Sequence, residues 1–172
     1  MWREAESNDE VAAPPLGNGG PRSVADRHVA GVAVALSVMG VQTASAEEHI
    51  VRTRRTEWVP PVLFVQPGDT IIWQGMRSHE TSLIDGMGPT DATAWSSELD
   101  AEGFRVTLQE VGAYIYTCEV HMSLGMVGAI VVGDAQPHNL AVIDAAVENI
   151  DVGRVFVERI IGRMKRALAR RD

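Results

Sequence analysis

Tyr116-Thr-Cys-Glu-Val-His-Met-Ser-Leu-Gly-Met126 puts a thiol, an imidazole and a thioether within nine positions, and Cys118 is the only cysteine of the chain. These are soft or borderline donors, and together they suit copper better than any hard cation. The stretch is flanked by Tyr114-Ile-Tyr-Thr-Cys118, which reads as a strand running in, and by Val127-Gly-Ala-Ile-Val-Val132, a buried strand running out. A loop whose two ends are fixed by sheet hydrogen bonds can hold Cys118, His121 and Met126 near one point, and Gly125 lets the backbone turn so that Met126 returns. A trigonal copper site needs a second imidazole. Ser78-His79-Glu80-Thr81 offers one, in a segment, His79 to Ile84, that reads as a strand. Taken singly, a cysteine is usually a small buried hydrophobe and a methionine core filler. The spacing Cys-x2-His-x4-Met with one upstream histidine makes His79, Cys118, His121 and Met126 the candidate metal ligands.

Outward from this loop, short strand signals alternate with Pro/Gly turns. His49 to Thr56 reads as a polar edge strand, and Val62-Leu-Phe-Val65 is closed by the turn Pro67-Gly68-Asp69. Thr70 to Gln74 follows, then a loop-like stretch from Asp85 to Glu102, then the alternating strand Phe104 to Leu108. Short strands without intervening helices predict an antiparallel β-sandwich. After Gly133-Asp134 the period changes: Leu140, Ile143, Val147 and Ile150 share one helical face, with Asn139 as its N-cap. Val152, Val155, Phe156, Ile160, Met164 and Leu168 form a second face, opposite Arg154, Arg159, Arg163, Arg166 and Arg170. That helix is expected to pack on the sandwich with its arginines in water. Membrane-surface contact or partner docking by the basic face is the less favoured reading.

The chain of 172 residues, 45% hydrophobic, supports one sandwich with a real core. A single cysteine excludes an internal disulfide. Residues 1–23 are polar and rich in Gly, Pro and acidic groups, a composition that does not order itself. Arg27 and His28, the apolar run Val29 to Val41 and the small residues Ala44-Ser45-Ala46 follow the pattern of a secretory signal cleaved after Ala46. The run is shorter than the roughly 20 residues that a membrane span needs. Residues 1–46 are therefore expected to be an extension plus signal, 47–134 the sandwich and 135–172 a helical extension, in an exported protein. Residues 154–172 carry seven basic and two acidic groups, whereas 47–153 carry five and sixteen. No basic surface with interleaved aromatics points to nucleic acid.

The motifs as they stand, Pro67-Gly68-Asp69, His79, Gly112-Ala113-Tyr114, Cys118-x2-His121-x4-Met126, Gly128 and Gly133-Asp134, resemble the cupredoxins, and within them the pseudoazurins. The resemblance implies an eight-stranded Greek-key sandwich with two C-terminal α-helices and one type 1 copper. His79, Cys118 and His121 would be equatorial ligands and Met126 the weak axial one. It also implies an electron carrier of the periplasm rather than an enzyme, with redox proteins docking near His121. Met87, Pro89, Met122 and Leu124 are the expected apolar collar of that docking face. Enzymatic copper chemistry would need His-x-His or His-Cys-His clusters, and neither occurs. Copper delivery without electron transfer is the alternative reading, left open by Met122 and Met126 beside His121. Two features depart from the family. Glu80 stands where it has Asn, and an ionised carboxylate can only accept hydrogen bonds, so the bridge between ligand loops is expected to differ or weaken. The family's ring of lysines is reduced to Lys165 in the C-terminal helix.

Overall fold

The structure is a computed structural model that describes residues 45–133 and 136–171. The expected signal segment lies outside the described residues except for Ser45 and Ala46, as does Asp134. Eight strands are described: β1 (Glu48–Arg54), β2 (Glu57–Val59), β3 (Val62–Val65), β4 (Thr70–Gln74), β5 (Ser82–Leu83), β6 (Arg105–Thr107), β7 (Gly112–Thr117) and β8 (Val127–Val132). They form two four-stranded sheets, ordered β2-β1-β4-β6 and β3-β8-β7-β5. Two helices follow, α1 (Leu140–Ala146) and α2 (Arg154–Leu168).

The sandwich is mixed rather than wholly antiparallel. β1 runs parallel to β4 and β3 parallel to β8. The chain leaves the first sheet after β2 and enters the second at β3, so neighbours in space come from separate connections. β1 is not an edge strand either, because it lies between β2 and β4. Its exposed Arg52 and Arg54 alternate with buried Val51 and half-buried Thr53, so the polarity marks the outer face of a two-sided sheet and not an open edge. The segment from His79 to Ile84 contributes only the two residues of β5 to a strand.

Two apolar layers position the site. Between the sheets lie Trp58, Trp73, Tyr114, Tyr116 and Ile130, in one cluster with Cys118 and Met126. On the outer face of the second sheet, Ile115, Ala129 and Val131 pack with Ile143 of α1 and with Val157, Ile161 and Met164 of α2. Being covered on both faces, β7 and β8 are buried at every residue, which is why they read as continuous apolar runs rather than alternating ones. Gly128 makes room for the ring of its cross-strand partner Tyr116, from which a Cβ there would stand 2.3 Å.

The stripe of α2 is shifted from the expected one. Val157, Ile160, Ile161, Met164 and Leu168 are buried, whereas Val152 and Val155 are 57% and 56% exposed. Gly153, in the left-handed region at φ 77°, starts the helix after Val152 and sets its phase. Asn139 does occupy the N-cap position of α1, but its side chain caps nothing. It accepts from Ala113 N–H at 2.9 Å and donates to Ala113 O at 2.8 Å, clamping the helix to β7. Among the described residues, no helix is long and apolar enough to cross a membrane.

Candidate metal centre

β7 and β8 deliver both ends of the ligand loop. Cys118, the residue after β7, donates its backbone N–H to Met126 O at 3.0 Å, and Thr117 Oγ1 donates to the same carbonyl at 3.1 Å. Between them the chain forms a 3-10 turn over Glu119–Leu124 that ends at Gly125, φ 88°. His121 N–H returns to Cys118 O at 3.0 Å and Met126 N–H to His121 O at 3.2 Å. All three donor-bearing residues are therefore tied to one another through their own backbone. Phe156 of α2 covers Gly125 so closely that a Cβ would lie 2.8 Å from its ring.

His79 comes from the loop after β4. Its N–H bonds Met76 O at 2.8 Å and its carbonyl accepts from Asp100 N–H at 2.9 Å. The loop is also held by two carboxylates that the sequence did not single out. Glu102 accepts from Gly75 and Met76 N–H at 2.9 Å each, through Oε2, and Asp100 accepts from Ser78 N–H. Those backbone N–H groups hold the Glu102 carboxyl below its ordinary range. Asp100 and Glu102 lie in an irregular loop with no periodic pattern, so nothing local marks them as anchors for a residue more than twenty positions earlier.

Three of the four expected donors converge. Cys118 Sγ lies 3.4 Å from His121 Nδ1 and 3.9 Å from His79 Nδ1, and the donor atoms of His79, Cys118 and His121 all fall within 4.8 Å of one another. The two imidazole centroids are 4.8 Å apart. Cys118 is fully buried and His79 is 8% exposed, while His121 is half-buried and stands nearer solvent. Met126 is fully buried in the same cluster as Cys118.

Electrostatics matches a metal-ligand role. Burial pushes the His79 imidazole pKa down and the neighbouring His121 pushes it further, against a smaller opposing pull from Asp100. The neutral ring, with a lone pair on nitrogen, is the form that binds a metal. Burial pushes the Cys118 thiol up, opposed by the backbone N–H groups of Glu80 and His121. A cation shared by the buried thiol and the two imidazole nitrogens would ionise the thiol and give both nitrogens a common partner. Zinc binds thiolate at about 2.3 Å and imidazole at about 2.0–2.1 Å, so a sulfur and a nitrogen sharing an ion of that size lie at most about 4.4 Å apart. Both sulfur–nitrogen separations meet that limit. The thiolate and imidazole set fits copper.

The sequence pattern of the copper binding proteins of the plastocyanin/azurin family matches residues 47–133. The chain belongs to this family. A pseudoazurin of Paracoccus pantotrophus is 34% identical over 82 residues, 47% of this chain and 55% of that protein's length. A putative pseudoazurin of Rhizobium leguminosarum bv. viciae is 30% identical over 122 residues, 67% of this chain and 79% of that one. Among solved structures, a pseudoazurin of Sinorhizobium meliloti matches with a TM-score of 0.60 at 31% identity, covering 69% of this chain and 96% of that one. The pseudoazurin of Methylobacterium extorquens AM1 shares the fold, with a TM-score of 0.58 at 22% identity over 70% of this chain and 98% of that one. The chain is thus a cupredoxin of pseudoazurin type, with copper as its cofactor and electron transfer as the family's activity.

The cupredoxin's apolar collar differs from the expected one. Met87 is fully buried beneath the helices and Pro89 is buried against Gly112. Met122 is half-buried, with its carbonyl and side chain against Gly153. The exposed apolar groups beside His121 are Val120 and Leu124, at 56% and 60%. Val152 and Val155 flank the contact between Gly153 and Met122 and extend this surface onto the start of α2.

Proposed function

We propose that this cupredoxin is an exported, periplasmic type 1 copper protein that carries single electrons between redox proteins and catalyses no reaction itself. His79, Cys118, His121 and Met126 would hold the copper. The observation that carries the reading is the buried Cys118 Sγ with the Nδ1 atoms of His121 and His79 at 3.4 and 3.9 Å. Bound copper supplies a one-electron couple between its cuprous and cupric states.

The chain's residues do the rest. The turn between β7 and β8 and the Asp100–Glu102 anchor hold the donors in place before any metal binds, so the ligand set has little need to rearrange when charge changes. Trp58, Tyr116 and the sheet core exclude water from Cys118. His121, the more exposed of the two imidazoles, is the edge through which the electron leaves, and Val120 and Leu124 beside it give a partner an apolar landing surface. Such contacts are small, below about 1,200 Å² in total.

Full burial of Cys118 and Met126 favours retention of the metal over its release to an acceptor, and so favours electron carriage over copper delivery. Absorption and EPR spectra of the copper-loaded protein test the reading. An intense blue or green cupric protein that is reduced and reoxidised reversibly supports it. A colourless cuprous protein that passes its metal to an apo-acceptor overturns it. N-terminal sequencing of the secreted form tests cleavage after Ala46.

A further inference from the structure

A groove of about 820 Å³ runs down the side of the sandwich from the metal loop, between β2 and α2. Its upper end is Gly125 and Phe156, and its floor includes Trp58 and Ile160. Arg54 lines one wall, and Arg159, Arg163 and Arg166 line the other. Glu57 is the groove's acidic residue, and it is paired with Arg54 at 3.5 Å. Arg159, Arg163 and Arg166 are ion-paired to none of the described carboxylates, unlike Arg154 and Lys165 of the same helix, which hold Glu148 and Asp144. The Arg159 guanidinium sits 5.2 Å from the Phe156 ring centroid, which holds it over the groove mouth. The rim of the metal end on the His79 side has the opposite sign, with Glu80, Asp100, Glu102 and Glu119.

We propose that this groove receives an extended acidic segment of the protein's redox partner, its carboxylates pairing with Arg159, Arg163 and Arg166 while the partner covers His121. The three arginines fall on one side of α2 over about 10 Å of helix axis. Alternate side chains of an extended chain point the same way about 6.5–7 Å apart. About five residues with carboxylates at alternate positions therefore match the row, whereas a single inorganic anion reaches only part of it. A bilayer is a poor occupant. The guanidiniums line a concavity, and the apolar face of α2 is already buried against the sandwich, leaving little to insert. Charge then orients the encounter: an acidic partner is drawn to the groove side and repelled from the Glu80 and Glu119 side. The identity of the partner as a redox protein rests on the electron-carrier reading, but occupancy of the groove by an acidic segment does not.

The test measures fluorescence anisotropy of a labelled five-residue peptide with glutamate at alternate positions, added to residues 47–172 at low and physiological salt. The expected result is binding that weakens with salt, is absent for the lysine counterpart, and is about tenfold weaker for Arg159→Gln/Arg163→Gln, two lost pairs in a partly exposed groove. Arg163→Glu alone is the second variant, and Arg105→Gln, on β6 at the far edge of the first sheet from β2, should leave binding unchanged. Equal affinity for wild type and the arginine variants overturns the proposal. So does inorganic phosphate binding to these arginines without peptide binding, or co-sedimentation with phosphatidylglycerol vesicles in place of peptide binding. The visible spectrum of each copper-loaded variant is recorded in parallel. A colourless wild type that still binds the peptide sinks the electron-carrier reading and leaves the groove standing.

Discussion

Glu80 Oε1 accepts the backbone N–H of Glu119 at 2.8 Å, joining the loop that carries His79 to the turn that carries Cys118 and His121. The backbone N–H of Glu80 favours the ionised Cys118 thiol, and its carboxylate opposes that ionisation through charge. The bridge between the ligand loops is therefore present, but a carboxylate makes it, and it brings a negative charge to the metal end that a neutral amide would not.

A negative charge beside the ligands favours the more oxidised, more positive metal. Glu80→Gln retains an acceptor oxygen of the same reach and removes the charge. It is expected to raise the reduction potential by about 20–60 mV, the electrical equivalent of about 0.5–1.5 kcal/mol for a half-exposed charge nearby. Glu80→Ala removes the bridge as well and should also alter the visible spectrum. Protein-film voltammetry checks both, and a Gln variant with the wild-type potential would discard the electrostatic role.

Copper should also hold the fold together, because the ligands come from two separate loops and only the folded chain presents them together. At a hundredfold its Kd a ligand adds about 2.7 kcal/mol, which for a domain of this size is about 8–15 °C in Tm. Calorimetry of the apo and copper-loaded forms measures the shift, and a chelator should reverse it. Cys118→Ala should abolish both the shift and the intense visible band. A Cys118→Ala protein that keeps the full copper-dependent shift would place the metal elsewhere.

Asp69 gives the fold an acid limit. Burial pushes its carboxyl pKa up, but the N–H groups of Gln66 and Glu47 and the His49 imidazole, each at 2.8 Å, together hold it below its ordinary value. A folded value below the unfolded one means that the stabilisation is complete above the ordinary carboxylate range. It is lost as pH falls from about 4 through the folded value. Asp69→Asn should cost about 1.5–3 kcal/mol at pH 7, and the gap between variant and wild type should be narrower at pH 3. Urea unfolding of the apo proteins at both pH values measures it, and a gap undiminished in acid would refute the ionised-carboxylate account.

Asn139 is a clamp. Replacing it with Leu leaves the buried N–H and C=O of Ala113 without partners, at about 1–3 kcal/mol for each unsatisfied group, so a loss of about 2–4 kcal/mol is expected. Asn139→Asp keeps the acceptor for Ala113 N–H but offers no donor to its carbonyl, and should fall between the two. Because Ala113 lies in β7, the strand leading to Cys118, amide exchange along β7 should quicken in both variants. Stability losses without that local change would argue against the clamp.

The ligand loop was legible because its chemistry is local: Cys118, His121, Gly125 and Met126 are neighbours in sequence, and β7 and β8 announce themselves as apolar runs. The contacts that complete the centre are not local. Asp100 and Glu102 hold the His79 loop from a segment without periodicity, and the parallel pairings of β1 with β4 and β3 with β8 depend on crossovers that no single stretch encodes. Polar alternation in β1 looked like an open edge because one solvated face and one open edge leave the same pattern. In α2 the buried Ile160, Met164 and Leu168 were legible but Val157 and Ile161 were not, since Gly153 fixes where the helix starts and so its phase. The collar failed for a related reason: whether Met87 or Leu124 faces water is decided by where the helices land, not by side-chain type.

Val120 and Leu124, exposed beside His121, are the test of how electrons leave. Neither contributes a buried contact to the core, so Val120→Asp and Leu124→Asp should leave the Tm and the visible spectrum close to wild type. Electron self-exchange between reduced and oxidised copies requires the two metal ends to meet, and like charges placed opposite one another oppose that encounter. The self-exchange rate constant from NMR line broadening is therefore expected to fall about tenfold or more for either variant at low salt, with partial recovery as salt screens the new charges. A variant at Val142, equally exposed on α1 and away from the ligand loop, should exchange at the wild-type rate. If Val142→Asp slows exchange as much as Leu124→Asp, the electron does not leave through the His121 face.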